Sequence, residues 1–543
     1  MKILVFHRLA CFKIVKVFLL LSLTFVNYLF GQSVWQWRVP MRDEQGKIKS
    51  DYANAFLWIP GKCKKLNAVI LVQHNMIEEG ILEHPKFRKQ MAQLGIGEIW
   101  LTDNISQNFD KPEQDNAAVN RILDELADKS GYEELKNIPI IPMGHSAMAT
   151  YPWNFALANP DRTLAVISLK GDAPSTNLTG YGRANVDWNN KNIDGIPGLM
   201  VMGEYEWWQD RITTGFNYVE QHPNSPITWY ADAGRGHFDS SEQLIGLLNL
   251  YIKKVIEHRL VKGSATLKPV DVKSGWLMES WRKDNTVPVY PSAKYAAFKG
   301  NSNTASWCFD SELVKYVERV YKSQRGKEQQ YLGYIQNGIM VIPIKTHANY
   351  HLQWKPQADG ATFNVRSFFA DSSRVKPTTK HASNKIHIDR ICGPVKKIND
   401  TTFQVTHTRI GLNNPKRSND IWLLASNNGD SRYKSIVQQA LLTIPKNTEG
   451  KSQTIDFSFM RDQQKGVKKL SLHAVSDAGL KVSFYVKEGP AYVDNGELIF
   501  TKIPTKAKFP VKVAVVAWQM GINNEQQKIQ QATPVERSFY IYK

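Results

Sequence analysis

At 543 residues the chain is too long for one ordinary hydrophobic core, so we expect roughly two to four domains. Hydrophobic residues make up 42% and charged residues 22% of the sequence, a balance that excludes a largely disordered protein. The net charge of +19 is unevenly distributed: residues 32–262 contain 24 basic and 28 acidic residues, whereas residues 263–543 contain 41 and 22.

The first 31 residues have the order of charge and hydropathy that is typical of a secretory signal peptide. Four basic residues precede an apolar run at residues 17–30, and no acidic residue occurs before Asp43. We therefore expect cleavage after Gly31 and a mature chain that is secreted or periplasmic. An uncleaved membrane anchor is the alternative. The apolar run at residues 17–30 is, however, shorter than the roughly 20 apolar residues that a spanning helix needs. No later stretch predicts a stable membrane span.

The basic half of the chain indicates an anionic partner, such as an acidic polysaccharide or an anionic cell surface. A lysine-rich surface that contacts only solvent explains the same excess at least as well. Nucleic acid is not an expected partner, because the chain begins like a secreted protein and no nucleic-acid-binding motif is present.

The mature chain contains an odd number of cysteines, Cys63, Cys308 and Cys392, so at least one is unpaired and no disulfide framework is expected. No HExxH motif, paired CxxC motif or tight His/Asp cluster occurs in the sequence. We therefore predict neither a metal site nor any other cofactor.

Between residues 32 and 262, short apolar runs alternate with amphipathic stretches. The runs are nearly continuous, as in strands of a parallel sheet that is buried on both faces. They predict strands at 67–75, 96–103, 138–144, 163–171, 198–204 and 227–234. Helices are predicted between the strands, and a last helix at 240–260 has a start signal at Asp239 and Ser240. This alternation predicts a doubly wound α/β domain over residues 32–262.

The strand predicted at 138–144 leads directly into the sequence GHSAMA and then into a helical stretch. This strand–turn–helix segment resembles the nucleophile elbow of the α/β-hydrolase family. The resemblance implies that Ser146 is a catalytic nucleophile, raised above the sheet at the start of a helix. Met148 departs from the family's G-x-S-x-G pattern, and Ala149 is the small residue expected to replace the second glycine. Pro152 is expected to kink the helix or delay its start.

The order of the partner residues agrees with the same resemblance. In the α/β-hydrolase family the acid follows the seventh strand and the histidine follows the eighth, which implies that His237 is the general base. Three residues are candidates for the acid: Glu206 is the first choice, Glu204 the second, and Asp172 after the sixth strand a further alternative. A hydroxyl nucleophile needs such a base, and the base needs a carboxylate to hold its tautomer.

An oxyanion hole is also implied by the resemblance. We expect its donors to be the N–H of Ala147 and one N–H of the segment QHNM at residues 73–76. Asn75 or Met76 is the expected second donor, whereas His74 is expected to shape the loop.

The remainder of the chain predicts two further domains. Residues 263–441 predict a mixed or mostly β accessory domain with one amphipathic helix at 310–326. Residues 442–543 alternate apolar and polar positions and predict a C-terminal β-sandwich, with a hairpin turn at Asp494–Gly496. From residue 443 onward the stretch resembles the bacterial immunoglobulin-like modules found at the ends of secreted glycan-active enzymes.

These features predict a secreted serine hydrolase, a carboxylesterase or carbohydrate esterase that acts on esterified polysaccharide through an acyl-enzyme. The carbohydrate part of this prediction rests on secretion, on an aromatic content of 11% and on the C-terminal resemblance. A secreted serine peptidase is an alternative with the same triad, although no propeller repeat precedes the catalytic domain. A non-catalytic glycan-binding protein on a degenerate hydrolase fold is another alternative, and Met148 is its main support.

Overall fold

The computed structural model describes residues 34–177, 184–206, 209–261, 266–281, 287–412, 414–415 and 418–543. The predicted signal peptide at residues 1–31 lies outside these residues. Within them, no helix combines the length and the hydropathy needed to cross a bilayer.

An eight-stranded sheet forms the centre of the N-terminal domain. Its strands are β1 (Trp37–Pro40), β2 (Asn54–Trp58), β3 (Ala68–Gln73), β4 (Ile96–Leu101), β5 (Ile140–His145), β6 (Val166–Leu169), β7 (Gly198–Gly203) and β8 (Ile227–Asp232). Their order is β1-β2-β4-β3-β5-β6-β7-β8, with β2 antiparallel to its neighbours and β3 to β8 parallel to one another. Every residue of β3 to β8 is buried, which explains their apolar runs.

Helices cover both faces of this sheet. They are α1 (Glu78–Leu82), α2 (Pro85–Leu94), α3 (Pro112–Ser130), α4 (Tyr151–Ala158), α5 (Gln209–Gln221) and α6 (Glu242–Arg259). On one face, Ile70 of β3 shares a hydrophobic core with Phe87 of α2; on the other, Leu71 shares a core with Leu123 of α3. The prediction of a doubly wound α/β domain is confirmed, and the sheet has the α/β-hydrolase arrangement.

The structure shows where two of the predicted helices begin. The last helix of this domain begins at Glu242, because the Ser241 side chain accepts a hydrogen bond from Leu244 N–H at 3.1 Å and caps the first turn. The start signal therefore lies one residue after the predicted Asp239 and Ser240. Pro152 lies in the first turn of α4, where its missing N–H costs no helical hydrogen bond.

The core of the N-terminal domain continues past residue 262, the end predicted for it. β9 (Trp276–Glu279), β10 (Ala293–Lys294) and β11 (Ala305–Cys308) form a small sheet, and α7 (Ser311–Gln324) follows it. Ser306 Oγ accepts a hydrogen bond from Trp229 N–H at 2.9 Å and donates one to Trp229 O at 3.0 Å. Tyr321 Oη accepts one from Ala231 N–H at 2.9 Å. These bonds cover the edge strand β8 with residues 305–324.

The next part of the chain is β-rich, as predicted for the accessory domain. Its strands are β12 (Tyr331–Gln336), β13 (Ile339–Val341), β14 (His351–Leu352), β15 (Thr362–Asn364), β16 (Arg366–Ala370), β17 (His387–Cys392), β18 (Val395–Lys397), β19 (Thr402–Val405), β20 (Asp420–Asn427) and β21 (Ile436–Thr443). The sheet β14-β21-β20-β17 joins two cores, because Leu424 and Val437 pack with the N-terminal domain whereas Leu423 packs within the accessory region.

The C-terminal region is a β-sandwich. Its strands are β22 (Ile455–Phe457), β23 (Gln463–Gln464), β24 (Lys469–Ser471), β25 (Ala474–Ser476), β26 (Ser483–Glu488), β27 (Ala491–Asp494), β28 (Glu497–Phe500), β29 (Val511–Trp518), β30 (Ile522–Asn523), β31 (Lys528–Ile529) and β32 (Val535–Tyr542). Sheets β23-β32-β29-β26 and β24-β28-β27 contribute Phe539 and Leu498 to one core. Asn495 and Gly496, with φ of 47° and 81°, form the predicted turn between β27 and β28. The resemblance to immunoglobulin-like modules stays a prediction.

His407 links the stability of the β-rich half to pH. Its ring is buried 4.7 Å from the Trp518 ring, and burial lowers its pKa to about 3. An unfolded histidine binds a proton near pH 6.5, so below that pH the unfolded state is favoured while the folded state stays neutral. We expect this residue to reduce the free energy of unfolding by about 2 kcal/mol between pH 7 and pH 5.

Urea unfolding of the parent and of His407→Gln at both pH values measures this effect. The variant should lose about that amount of pH dependence, whatever its stability at pH 7. An unchanged pH dependence would contradict the prediction.

Candidate active site

Ser146 lies in a strained turn at the carboxyl end of β5. It opens a 3-10 turn at Ser146–Met148, and its φ of 53° is rare for a residue with a side chain. Gly144 makes the turn possible, because a Cβ at this position would lie 1.9 Å from the carbonyl oxygen of Met148. The local sequence therefore forces the chain to reverse at Ser146, as in a nucleophile elbow.

Met148 stands where the G-x-S-x-G pattern has its second glycine, and the close packing is provided instead by Ala149 and Gly171. Met148 is buried and packs in a core with Leu71 and Tyr151. A Cβ added at Gly171, after β6, would lie 1.9 Å from the Cβ of Ala149. Ala149 thus packs directly on the neighbouring chain segment, and Gly171 provides the room. Gly171 was not predicted to have a role, and its place at the end of a predicted strand is the only signal of it in the sequence.

The structure brings Ser146, His237 and Glu206 together. His237 follows β8, and its Nε2 lies 2.8 Å from Ser146 Oγ. Glu206 ends a 3-10 turn, Glu204–Glu206, that follows β7, and its carboxylate contacts His237 Nδ1. The side chains of His237 and Glu206 are 15% and 18% exposed, so both are largely buried but still reach the surface. This geometry allows His237 to accept the serine proton while the carboxylate holds its other nitrogen.

The other two candidate acids contact different groups. Glu204 is buried, accepts a hydrogen bond from Gly234 N–H at 2.7 Å and lies 2.6 Å from Lys434 Nζ of the accessory region. Asp172 is also buried, accepts a hydrogen bond from Thr150 Oγ1 at 2.7 Å and lies 3.6 Å from Arg211 Nε. Glu204 therefore joins two domains, and Asp172 supports the segment after the elbow.

The positive charge of Arg211 lies near the carboxylates of Asp172 and Glu206. Burial lowers its pKa, while the carboxylates of Asp172 and Glu206 act in the opposite direction. Arg211 is nearly buried, at 7% exposure, so its charge is only weakly screened by solvent. Its positive charge therefore lies beside the carboxylates of Asp172 and Glu206.

His145, which no sequence motif indicated, contacts the loop that carries His237. It is buried, and its Nε2 lies 2.9 Å from the carbonyl oxygen of His237. A carbonyl can only accept, so Nε2 carries the hydrogen. Asn75 Nδ2 donates to the carbonyl oxygen of His145 at 2.9 Å, and His145 N–H donates to Glu78 Oε1 at 3.2 Å. The elbow, the β3 loop and the His237 loop are thereby connected.

The predicted oxyanion donors have different surroundings. Ala147 follows Ser146 in the first turn, where helical N–H groups lack intrahelical acceptors. The N–H groups of Asn75 and Met76 donate to Glu78 Oε2, at 3.2 and 2.6 Å. The buried carboxylate of Glu78 therefore occupies both candidate second donors in this structure. The oxyanion-hole assignment stays a prediction, and His74 packs its ring 5.4 Å from that of Trp100.

The accessory region contributes to the surroundings of His237. The exposed His347 has its ring 6.3 Å from the His237 ring, and its carbonyl oxygen accepts a hydrogen bond from Gln439 Nε2 at 2.6 Å. Phe238, next to His237, has its ring 4.9 Å from the ring of Trp422. No motif in the sequence pointed to these contacts, because they join residues more than ninety positions apart.

Comparisons with known proteins relate the fold of this domain to solved structures. No family model and no curated protein matches the chain. LpqC, a poly(3-hydroxybutyrate) depolymerase from Bordetella parapertussis, is 11% identical with a TM-score of 0.31, and the match covers 42% of this chain and 93% of that one. A dienelactone hydrolase from Anabaena variabilis is 15% identical with a TM-score of 0.28, covering 42% and 98%. Est1E from Butyrivibrio proteoclasticus is 15% identical with a TM-score of 0.27, covering 38% and 95%. At these values the likeness concerns the fold and carries no argument about the reaction.

Proposed function

We propose that this protein is a serine hydrolase that cleaves carboxylic esters, with Ser146 as nucleophile, His237 as general base and Glu206 as the acid of the triad. The observation that supports this most strongly is the 2.8 Å distance between Ser146 Oγ and His237 Nε2, with the serine in a strained turn. Backbone strain at a half-buried serine hydroxyl that lies beside an imidazole is typical of a functional site.

In the proposed reaction, Ser146 Oγ attacks the carbonyl carbon of the ester while His237 Nε2 takes its proton. Glu206 stabilises the imidazolium that forms. The C–O bond of the ester then breaks, and the alcohol leaves with the proton from His237. Water attacks the acyl-serine with His237 again as base, which releases the acid and restores the hydroxyl of Ser146.

The developing oxyanion needs donors near Ser146. Ala147 N–H is the first, because it begins the turn that follows the nucleophile. Asn75 or Met76 supplies the second in this proposal, and its N–H must then turn away from Glu78. Rearrangement of this loop on substrate binding would provide it.

We further propose that the substrate is an esterified polysaccharide and that the protein works outside the cytoplasm. The signal-peptide pattern and the basic C-terminal half support this proposal. The segment that carries His347 also exposes Ile342 and Ile344, at 69% and 46%. A survey of acetyl, butyryl and feruloyl esters identifies the acyl group, and peptide substrates test the peptidase alternative.

Labelling with a fluorophosphonate probe separates an enzyme from a glycan-binding protein on a hydrolase fold. We expect covalent labelling of the purified full-length protein, because the probe reacts with a serine that a base has activated. Labelling should be lost in Ser146→Ala and retained in Ser175→Ala, which alters an exposed serine that also has positive φ. Absence of labelling in the parent protein would favour the binding protein.

A further inference from the structure

The C-terminal sandwich contains a groove of about 510 Å³ that is lined by lysines. Lys465 and Lys468 come from the turn between β23 and β24, and Lys502 follows β28. No acidic residue lines the groove within the described part of the chain. All three lysines are exposed, and their charges therefore add to a positive potential inside a concave surface.

The groove also has an apolar floor. Val467, Phe500 and Ile503 are half-buried in its lining, and Pro504 is buried. Lys465 Nζ lies 5.5 Å from the ring of Phe509, and the aliphatic stem of Lys502 lies against Gly61 of the N-terminal domain. Lysines that bury their stems and keep their charges at the surface combine apolar contact with cationic recognition. A ligand with flat C–H faces and regular negative charges fits this combination.

The groove lies near the amino ends of the parallel strands of the central sheet, whereas the proposed triad lies at their carboxyl ends. The chain that leaves it contacts the N-terminal domain through Lys506 N–H, which donates to Tyr132 Oη at 3.2 Å, and through Lys508 N–H, which donates to Ser130 O at 2.9 Å. These partners precede β5, whereas Ser146 follows it. A six-residue strand spans about 20 Å, so a ligand in the groove does not occupy the reacting site.

We infer that this groove, which we call the lysine groove, binds an acidic polysaccharide and attaches the protein to it independently of catalysis. Carboxylate groups of uronic acids and sulfate esters share the chemistry that three lysines recognise. The site is distinct from the candidate active site and does not depend on the proposed esterase function.

Affinity electrophoresis and calorimetry of the full-length protein test the inference with polygalacturonate, dextran sulfate and neutral dextran. The parent should bind one or both acidic polymers and not neutral dextran, and binding should weaken as salt shortens the Debye length from about 10 Å at 0.1 M. The triple variant Lys465→Gln, Lys468→Gln, Lys502→Gln should bind at least tenfold more weakly at 0.1 M salt. The preferred polymer distinguishes carboxylate from sulfate recognition.

The matched control changes three exposed lysines of the accessory region, Lys376→Gln, Lys380→Gln and Lys385→Gln, with the same loss of charge. Its affinity should stay within about twofold of the parent's. Equal losses in both triple variants would overturn the inference and favour a diffuse charge effect, as would equal binding of neutral dextran or equally tight binding of duplex DNA. The single variant Lys468→Glu repeats the test if the first triple variant has a lower melting temperature, and Ser146→Ala should bind like the parent.

Discussion

Ser146→Ala and His237→Ala are each expected to lower kcat for ester hydrolysis by about 10⁴-fold or more while leaving the fold intact. Serine removal deletes the atom that attacks the carbonyl, and histidine removal deletes the group that takes its proton. Because the two side chains act as one unit, linked at 2.8 Å, the double variant should lose little more than either single variant.

Steady-state hydrolysis of the best ester from the survey, with circular dichroism and melting temperature as checks of folding, measures this effect. Ser175→Ala, at an exposed position, and His222→Ala, at a half-buried one, are matched controls and should stay within about twofold of the parent. Full activity of Ser146→Ala on every ester that the parent cleaves would refute the assignment of the nucleophile. Additive losses in the double variant would mean that the two residues act in separate steps.

Glu206→Gln is expected to lower kcat by about 10³-fold, a severe loss but a milder one than loss of the base. The amide keeps the shape of the side chain and removes the negative charge that stabilises the imidazolium. His237 survives with poorer orientation and in a mixture of tautomers. KM should change much less than kcat, because Glu206 contacts the base and not the substrate.

The two rival carboxylates supply the controls for this assignment. Glu204→Gln should reduce stability more than kcat, since Glu204 pairs with Lys434 across the domain contact. Asp172→Asn keeps a possible acceptor for Thr150 and should reduce kcat by less than about tenfold. If Glu206→Gln is nearly silent while one of these variants is crippled, the acid assignment is wrong and the nucleophile and base assignments stand.

Much of the N-terminal fold could be predicted from the sequence because burial on both faces leaves a simple signal. The strands β3 to β8 read as apolar runs, and each lay within one or a few residues of its predicted bounds. The strands β1 and β2 were not predicted. β1 has only four residues, with Arg38 and Pro40 half-exposed at alternate positions, so its pattern resembles a loop. The attachment of residues 305–324 to β8 was missed for another reason, since it depends on polar bonds of Ser306 and Tyr321.

The sequence by itself determined that a serine turn, an acidic turn and a histidine loop follow parallel strands in that order. The carboxyl ends of such strands meet at one edge of the sheet, so their proximity followed from topology alone. Only the tertiary structure decided that Glu206 and not Glu204 contacts His237, because the direction of two side chains two residues apart depends on a single turn. It also decided that His145 contacts the His237 loop, that His347 lies near His237 and that three lysines line one groove, since contacts between distant segments leave no periodic pattern in the chain.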